Sequence, residues 1–336
     1  MFKRRTLVSA LAGAALLVAT SAFAQYAERT IKFTNGVNED HSVSVGVRKM
    51  QEVLNAKTGG KMKINAFWGG SAGGDLAGAQ ATRAGTQEIV CTSGSALTGI
   101  VKELGVLDLP FLFNSEKEAY TVLDGQMGKY LNKKLEEAGL VNLAYWENGF
   151  RNLTNSRRPV GKIEDFDGIK LRVMQSSIYL DTFKTLGANP TPMAFGEVFT
   201  SLETKTIDGQ ENPFSTIETA KLYEVQKYLS VTRHVYSPFF VLYSKKLWDQ
   251  LNPQEQAVLR EAALEGQTVQ RDASRAQDQK SLAILKTKGM LVNEFSPAEK
   301  ARVMTALKPV YDKHVNNIGA GAVNLMMDSL KKARGG

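Results

Sequence analysis

Gly149-Phe150-Arg151-Asn152-Leu153-Thr154-Asn155, then Gly168-Ile169-Lys170-Leu171-Arg172-Val173, then Ile207-Asp208-Gly209-Gln210-Glu211-Asn212-Pro213: the stretch from Gly149 to Pro213 decides the fold. Arg151 to Asn155 and Lys170 to Met174 read as short strands, because their apolar and β-branched residues are bounded by turn formers. Ser177 to Leu186 reads as a helix stopped by Gly187, and Phe195 to Thr204 as another. Strands alternating with helices make βαβ units, so the class is α/β with a largely parallel sheet. Arg172 is unusual in this setting. It stands inside the apolar run Ile169 to Met174, where a buried guanidinium needs a partner. That partner is either a protein carboxylate, with Asp165, Asp167 and Glu197 at hand, or the carboxylate of a ligand gripped by the two-pronged guanidinium.

The N-terminal part of the chain repeats the alternation. Arg29 to Gly36 reads as a strand, followed by a helix from Asp40 or Ser42 to about Lys57 that Gly59-Gly60 ends. Lys61 to Phe67 is a second strand, Asp75 to Ala84 a helix, and Glu88 to Ser93 a third strand. In open α/β sheets ligands bind beyond the carboxyl ends of the strands, which points to Thr34-Asn35, Trp68 and Cys91 to Ser95 as rim positions. Further along, Leu140 to Trp146, Lys227 to Pro238 and Phe239 to Ser244 read as strands. Then Asn252, Pro253 and Glu255 form a helix start with a capping box, and no stop appears before Gly289. A helix of that length reaches about 50 Å, more than one small domain. Met290 to Phe295 is a strand, and Ser296-Pro297-Ala298-Glu299 opens a final helix with a second capping box.

Residues 1–24 have the form of a secretory signal peptide: Lys3-Arg4-Arg5, an apolar run from Leu7 to Ala19, and Ala22-Phe23-Ala24 before the expected cut. The chain is therefore expected in the periplasm, not inserted in the membrane after cleavage, and monomeric. Without Lys3, Arg4 and Arg5 the 42 basic residues fall to 39 against 34 acidic, a net +5. This scattered positive charge suits an anionic ligand and is a poor nucleic-acid signature. Cys91 is the single cysteine, so no internal disulfide forms. The three histidines and one cysteine show no metal-binding spacing. One enzyme-like motif is present. Gly69-Gly70-Ser71-Ala72-Gly73 follows a strand and precedes a helix, as a nucleophile elbow does. A serine hydrolase using Ser71 would need a base, and only His41, His234 or His314 could supply it. Glycine turns at such junctions also arise for steric reasons alone.

These motifs, with Leu109-Pro110-Phe111-Leu112-Phe113, Phe195-Gly196-Glu197-Val198-Phe199 and Tyr223-Glu224-Val225-Gln226-Lys227-Tyr228, resemble the extracytoplasmic solute-binding proteins of TRAP transporters, the C4-dicarboxylate-binding branch. Each motif is weak alone; their order and spacing, over nearly the whole mature chain, are specific. The resemblance implies a non-enzymatic receptor that binds a small organic acid between two α/β lobes and hands it to a TRAP permease. It implies a periplasmic-binding-protein fold with discontinuous domains: lobe I from residues 25–148 and 237–270, lobe II from 149–236 and 271–336, and the long helix spanning both. It assigns Arg172 to the ligand carboxylate, with further contacts from Arg151, Asn212 and Phe195. Glu211, Gln175, Ser93, His41 and Tyr236 are weaker candidates at strand ends or loop rims. Some relatives hold their acid through a metal near Gln175 and Glu211, but Glu211 pairing with Arg151 or Arg172 is simpler and two oxygens under-ligand a hard cation, so none is expected. The family often has an acidic residue where Ala77 stands.

Overall fold

The structure, a computed structural model, describes residues 26–335; the signal segment lies outside the described residues. The N-terminal half of the sheet is built from β1 (Arg29–Asn35), α1 (Val43–Thr58), β2 (Met62–Phe67), α2 (Asp75–Ala84) and β3 (Ile89–Ser93). β1 pairs with β2 and with β3 in parallel, as two βαβ units require. Two helices the sequence reading did not place, α3 (Glu116–Leu123) and α4 (Gln126–Glu137), lead into β4 (Leu140–Asn155). The second half comprises β5 (Lys170–Val173), α5 (Ser177–Thr185), β6 (Asn189–Pro192), α6 (Val198–Glu203), β7 (Gly209–Asn212) and α7 (Phe214–Thr219). Then follow β8 (Tyr228–Ser244), α8 (Lys245–Trp248), α9 (Pro253–Thr287), β9 (Leu291–Glu294), α10 (Pro297–Ala306), α11 (Lys308–Ile318) and α12 (Ala320–Ala333). The single expected C-terminal helix is thus three. Ser296 caps α10, but Glu299 does not close the second box: its carboxylate accepts the Ile163 N–H at 2.8 Å.

The sheet runs β2-β1-β3-β8-β4-β7-β5-β6, with β9 on β8. It is mixed rather than largely parallel, because β4 and β8 pair antiparallel with each other and join β7 and β3 in the same sense. Each was expected as two strands, and each is unbroken. β4 is buried along its whole length, so neither face offers a polar exit. The expected breaks survive as bulges, with register shifts at Asn142/Ala144, Glu147/Gly149 and Arg151/Leu153. Pro238, which cannot donate to a ladder, sits opposite Glu147 at one of these shifts, where the pairing is already interrupted. Both long strands serve both halves of the molecule: β8 carries β3 near its C-terminal end and β9 near its start, and β4 carries β7 near its end.

Helix α9 is 35 residues long, about 50 Å. Its capping box is present, with Asn252 and Glu255 exchanging side-chain bonds to backbone N–H groups. It lies along β4 and supplies the partners that the bulges free. Gln267 Oε1 accepts the Tyr145 N–H at 2.9 Å, and Gln270 accepts the Glu147 N–H at 2.8 Å while donating to its carbonyl at 2.7 Å. Two separate apolar clusters meet this helix, one through Val258, Leu259, Ala262 and Ala263, the other through Leu285. A third core runs continuously through both halves on the other side of the sheet, as the alternation of Ile89, Val90 and Cys91 between clusters shows.

Gly46 of α1 and Gly266 of α9 let the two helices close on Trp146. A Cβ on Gly46 would stand 2.6 Å from the indole, and one on Gly266 would stand 2.9 Å from it and 3.0 Å from the Gly46 carbonyl. Neither neighbour is a flexible chain end, so Gly46→Ala is expected to cost about 1–3 kcal/mol through overpacking. A lowered Tm of the unliganded protein checks this; an unchanged Tm would mean that the contact relaxes freely.

Candidate functional site

A small cavity lies where the two halves of the sheet meet. Its walls come from both. Gly36, Val37, Asp75 and Ser93 arrive from the β1–β3 half; Met174, Phe195, Asn212 and Thr216 arrive from the β5–β7 half; Asn148, Arg151 and Phe239 belong to the two long strands. Ser93, Met174 and Asn212 mark the carboxyl ends of β3, β5 and β7, where an α/β sheet opens its crevice.

Arg151 lines the cavity and is held from behind. Its Nε and Nη2 reach the two carboxylate oxygens of Glu211 at 2.5 and 2.8 Å, and both side chains are buried. Burial alone would push the Glu211 carboxyl up, but the Arg151 charge and a bond from His234 outweigh it and hold it at about 2. His234 Nε2 stands 3.0 Å from the same carboxylate, and desolvation depresses its own pKa. Arg151 and Glu211 therefore form a neutralised pair.

Arg172 is in a different state. It is 1% exposed. Its Nε and Nη2 donate to the Met193 carbonyl at 2.9 and 2.7 Å, and its Nη1 is buried with no hydrogen-bond partner. None of the expected carboxylates, Asp165, Asp167 or Glu197, pairs with it: Asp165 caps the Gly161 and Lys162 N–H groups instead, and Arg172 makes none of the ion pairs found among the described residues. Burial lowers its pKa to about 10, helped by the Arg151 charge and only partly offset by the charges of Glu211 and Asp75. The Phe195 ring, a cavity wall, lies 6.0 Å from the guanidinium carbon.

Asp75, at the start of α2, was read from sequence as a helix opening only. It faces the cavity, and its Oδ1 accepts the Thr92 hydroxyl at 3.0 Å. Desolvation raises its pKa, while Thr92 and the Arg172 charge pull the other way. Asn148 and Thr216 were also missed; the signal available was the glycine turn before Asp75 and the Pro213 that aims α7 at the cleft. Asn212 donates to Gln210 Oε1 at 2.6 Å, and Ser93 shares a hydrogen bond of 2.9 Å with Ser237.

Five of the expected residues do not line the cavity: Arg172, whose guanidinium lies behind the Phe195 wall, and four others. Gln175 is exposed, because α5 starts just after it and turns its side chain outward. Tyr236 is packed among Phe113, Tyr120 and Phe150, with its hydroxyl on Glu147 at 3.1 Å. His41 is buried behind Thr216, 3.4 Å from its hydroxyl, and burial lowers its pKa to about 4. Glu211 backs Arg151. Ser71 sits exposed on a turn where Gly69, Gly70 and Gly73 all take positive φ, so the glycines serve the turn. His41, His234 and His314 bond to Thr216, Glu211 and Asp181 instead.

Two lobes joined by long strands and one helix, with a small cavity between them, define a solute-binding protein of the periplasmic type. The chain belongs to the DctP family, the bacterial extracellular solute-binding proteins of family 7, whose model matches residues 33–317. The sugar acid binding protein DctPAm from Advenella mimigardefordensis, solved in complex with galactonate, superposes with a TM-score of 0.90 at 45% identity, covering 91% of this chain and 99% of that one. A TRAP periplasmic solute binding protein from Polaromonas sp. JS666 bound to D-erythronate gives 0.85 at 35% identity, covering 89% and 98%. The 2,3-diketo-L-gulonate-binding periplasmic protein YiaO of Escherichia coli K12 is 36% identical over 297 residues, 88% of this chain and 90% of that one. Family members bind solutes and are not enzymes, so this chain is a receptor for acid ligands and the Ser71 hydrolase reading falls. Among the described residues no helix is long and apolar enough to cross a membrane.

Proposed function

We propose that this chain captures a sugar acid, a polyhydroxy monocarboxylate, and delivers it to a TRAP permease in the inner membrane. The observation that carries the reading is Arg172: a fully buried guanidinium behind the Phe195 wall of the cavity, with one nitrogen unpaired and no carboxylate in ion-pair contact. A ligand carboxylate supplies the missing partner, and the low dielectric of the closed cleft strengthens that contact. Arg151, Asn212, Phe195 and Ser93 make the further contacts, and Glu211 holds Arg151 in place. Closure follows because the ligand touches both lobes, which we divide as 25–148 with 237–270 and 149–236 with 271–336. The signal-like form of residues 1–24 supports a periplasmic location for the mature chain, which we take to act as a monomer.

Asp75 narrows the ligand class. A carboxyl group in the cavity accepts hydrogen bonds from hydroxyls and repels a second carboxylate. Ser93, Asn148 and Thr216 add donors and acceptors suited to a hydroxylated chain. The galactonate and erythronate found on similar proteins have this chemistry. A thermal-shift series tests the reading. An aldonate at about 100 times its Kd adds roughly 2.7 kcal/mol, whereas succinate adds little. Asp75→Ala is expected to weaken the aldonate by about 1–3 kcal/mol and to narrow its lead over succinate. A parent protein that prefers succinate to every aldonate sinks the sugar-acid reading.

A further inference from the structure

Asp108 ends the turn Lys102–Asp108, is 3% exposed, and takes no part in the cavity wall. Its two carboxyl oxygens are divided between two serines. Oδ1 accepts the Ser95 hydroxyl at 2.7 Å, and Oδ2 accepts the Ser176 hydroxyl at 2.7 Å. Ser95 lies in the turn Gly94–Leu97 that leaves β3, in the β1–β3 half of the molecule. Ser176 lies between β5 and α5, in the β5–β7 half. Whichever half retains Asp108 when the two part, one of these hydrogen bonds spans the divide.

The serine in the second half shows that the contact is built. Ser176 occupies the N-cap position of α5 with extended backbone (φ −136, ψ 132), where a serine ordinarily accepts a bond from the first helical N–H groups. Its side chain makes no such cap; the hydroxyl turns to Asp108 instead. The charged or titratable groups facing Asp108 are Arg151 from β4, Glu211 from β7 and Tyr179 from α5. Burial pushes the Asp108 carboxyl up to about 7, against the pull of the two serines and Arg151, so near neutral pH a neutral amide is a fair substitute for it.

We propose that Asp108, through Ser95 and Ser176, is a latch that fastens the closed lobes together and slows release of the ligand without touching it. This rests on the receptor reading above. Stopped-flow binding of an aldonate separates the two rates. Ser176→Ala and Asp108→Ala are expected to raise koff about tenfold, the worth of one buried hydrogen bond, with kon within twofold of the parent. Asp108→Asn, which can bond both hydroxyls, restores slow release. A folding defect would reduce the active fraction and leave koff alone, so the split between the rates isolates the latch. Parental koff in Ser176→Ala, or Asp108→Asn releasing as fast as Asp108→Ala, overturns the proposal. If the parent itself binds no acid, the receptor reading fails instead.

Discussion

Arg172→Met is expected to weaken acid binding at least about thirty-fold while leaving the unliganded protein at least as stable. The two halves of this result have one cause. Arg172 is buried with an unpaired Nη1 and no carboxylate partner, so in the empty protein its charge is a burden. Replacing a poorly compensated buried charge with an apolar chain of similar volume is often neutral or stabilising. On the proposed reading the same charge meets the acid in the liganded protein, and removing one partner of a buried charge pair costs about 2–5 kcal/mol, roughly thirty-fold to several-thousand-fold in Kd. Calorimetric titration and a denaturation curve on one preparation read both quantities. Arg172→Lys is also expected to bind weakly, because an ammonium cannot hold the Met193 carbonyl and a carboxylate with the same planar fork.

Glu211→Ala is expected to do the opposite: to destabilise the fold by about 3–5 kcal/mol, since it strands the Arg151 guanidinium in a buried site. The pH dependence of the parent follows from the same pair. The folded-state pKa of Glu211, about 2, lies below its ordinary value of 4.5. The stability it contributes is therefore complete above about pH 4.5 and is lost as pH falls toward 2. Denaturant midpoints taken at pH 7, 4 and 2.5 show this component in the parent and lack it in Glu211→Gln. Identical pH curves for the two proteins would mean that Arg151 and Glu211 are not coupled.

Much of the architecture was readable from local chemistry. The α9 helix announced itself through Asn252, Pro253 and Glu255, and the end of α1 through Gly59-Gly60. The unbroken course of β4 and β8 was not readable. Gly149 and Pro238 look like chain breaks, and only the tertiary pairing of Glu147 with Pro238, with Gln267 and Gln270 reaching over from α9, shows why the strands continue. The missed helices α3 and α4 fell in a stretch that no strand motif flagged. The anomaly of Arg172, a charge in an apolar run, was visible at once; which carboxylate it serves was not, because Asp165 and Asp167 were as near in sequence as any ligand could be in space. Glu211 was legible as a partner for Arg151 or Arg172, but not for which of the two; the pairing of β4 with β7 gives it to Arg151. Asp75 was hidden by its helix-start position, a place where acidic residues are common for local reasons.

The central claim is that a carboxylate completes Arg172. Titration of the parent protein with galactonate and with galactitol, the same carbon skeleton lacking the carboxylate, tests it most directly. Saturable binding of one galactonate per chain, with galactitol weaker by a hundredfold or more, is the predicted result. Galactitol binding as tightly as galactonate would contradict it.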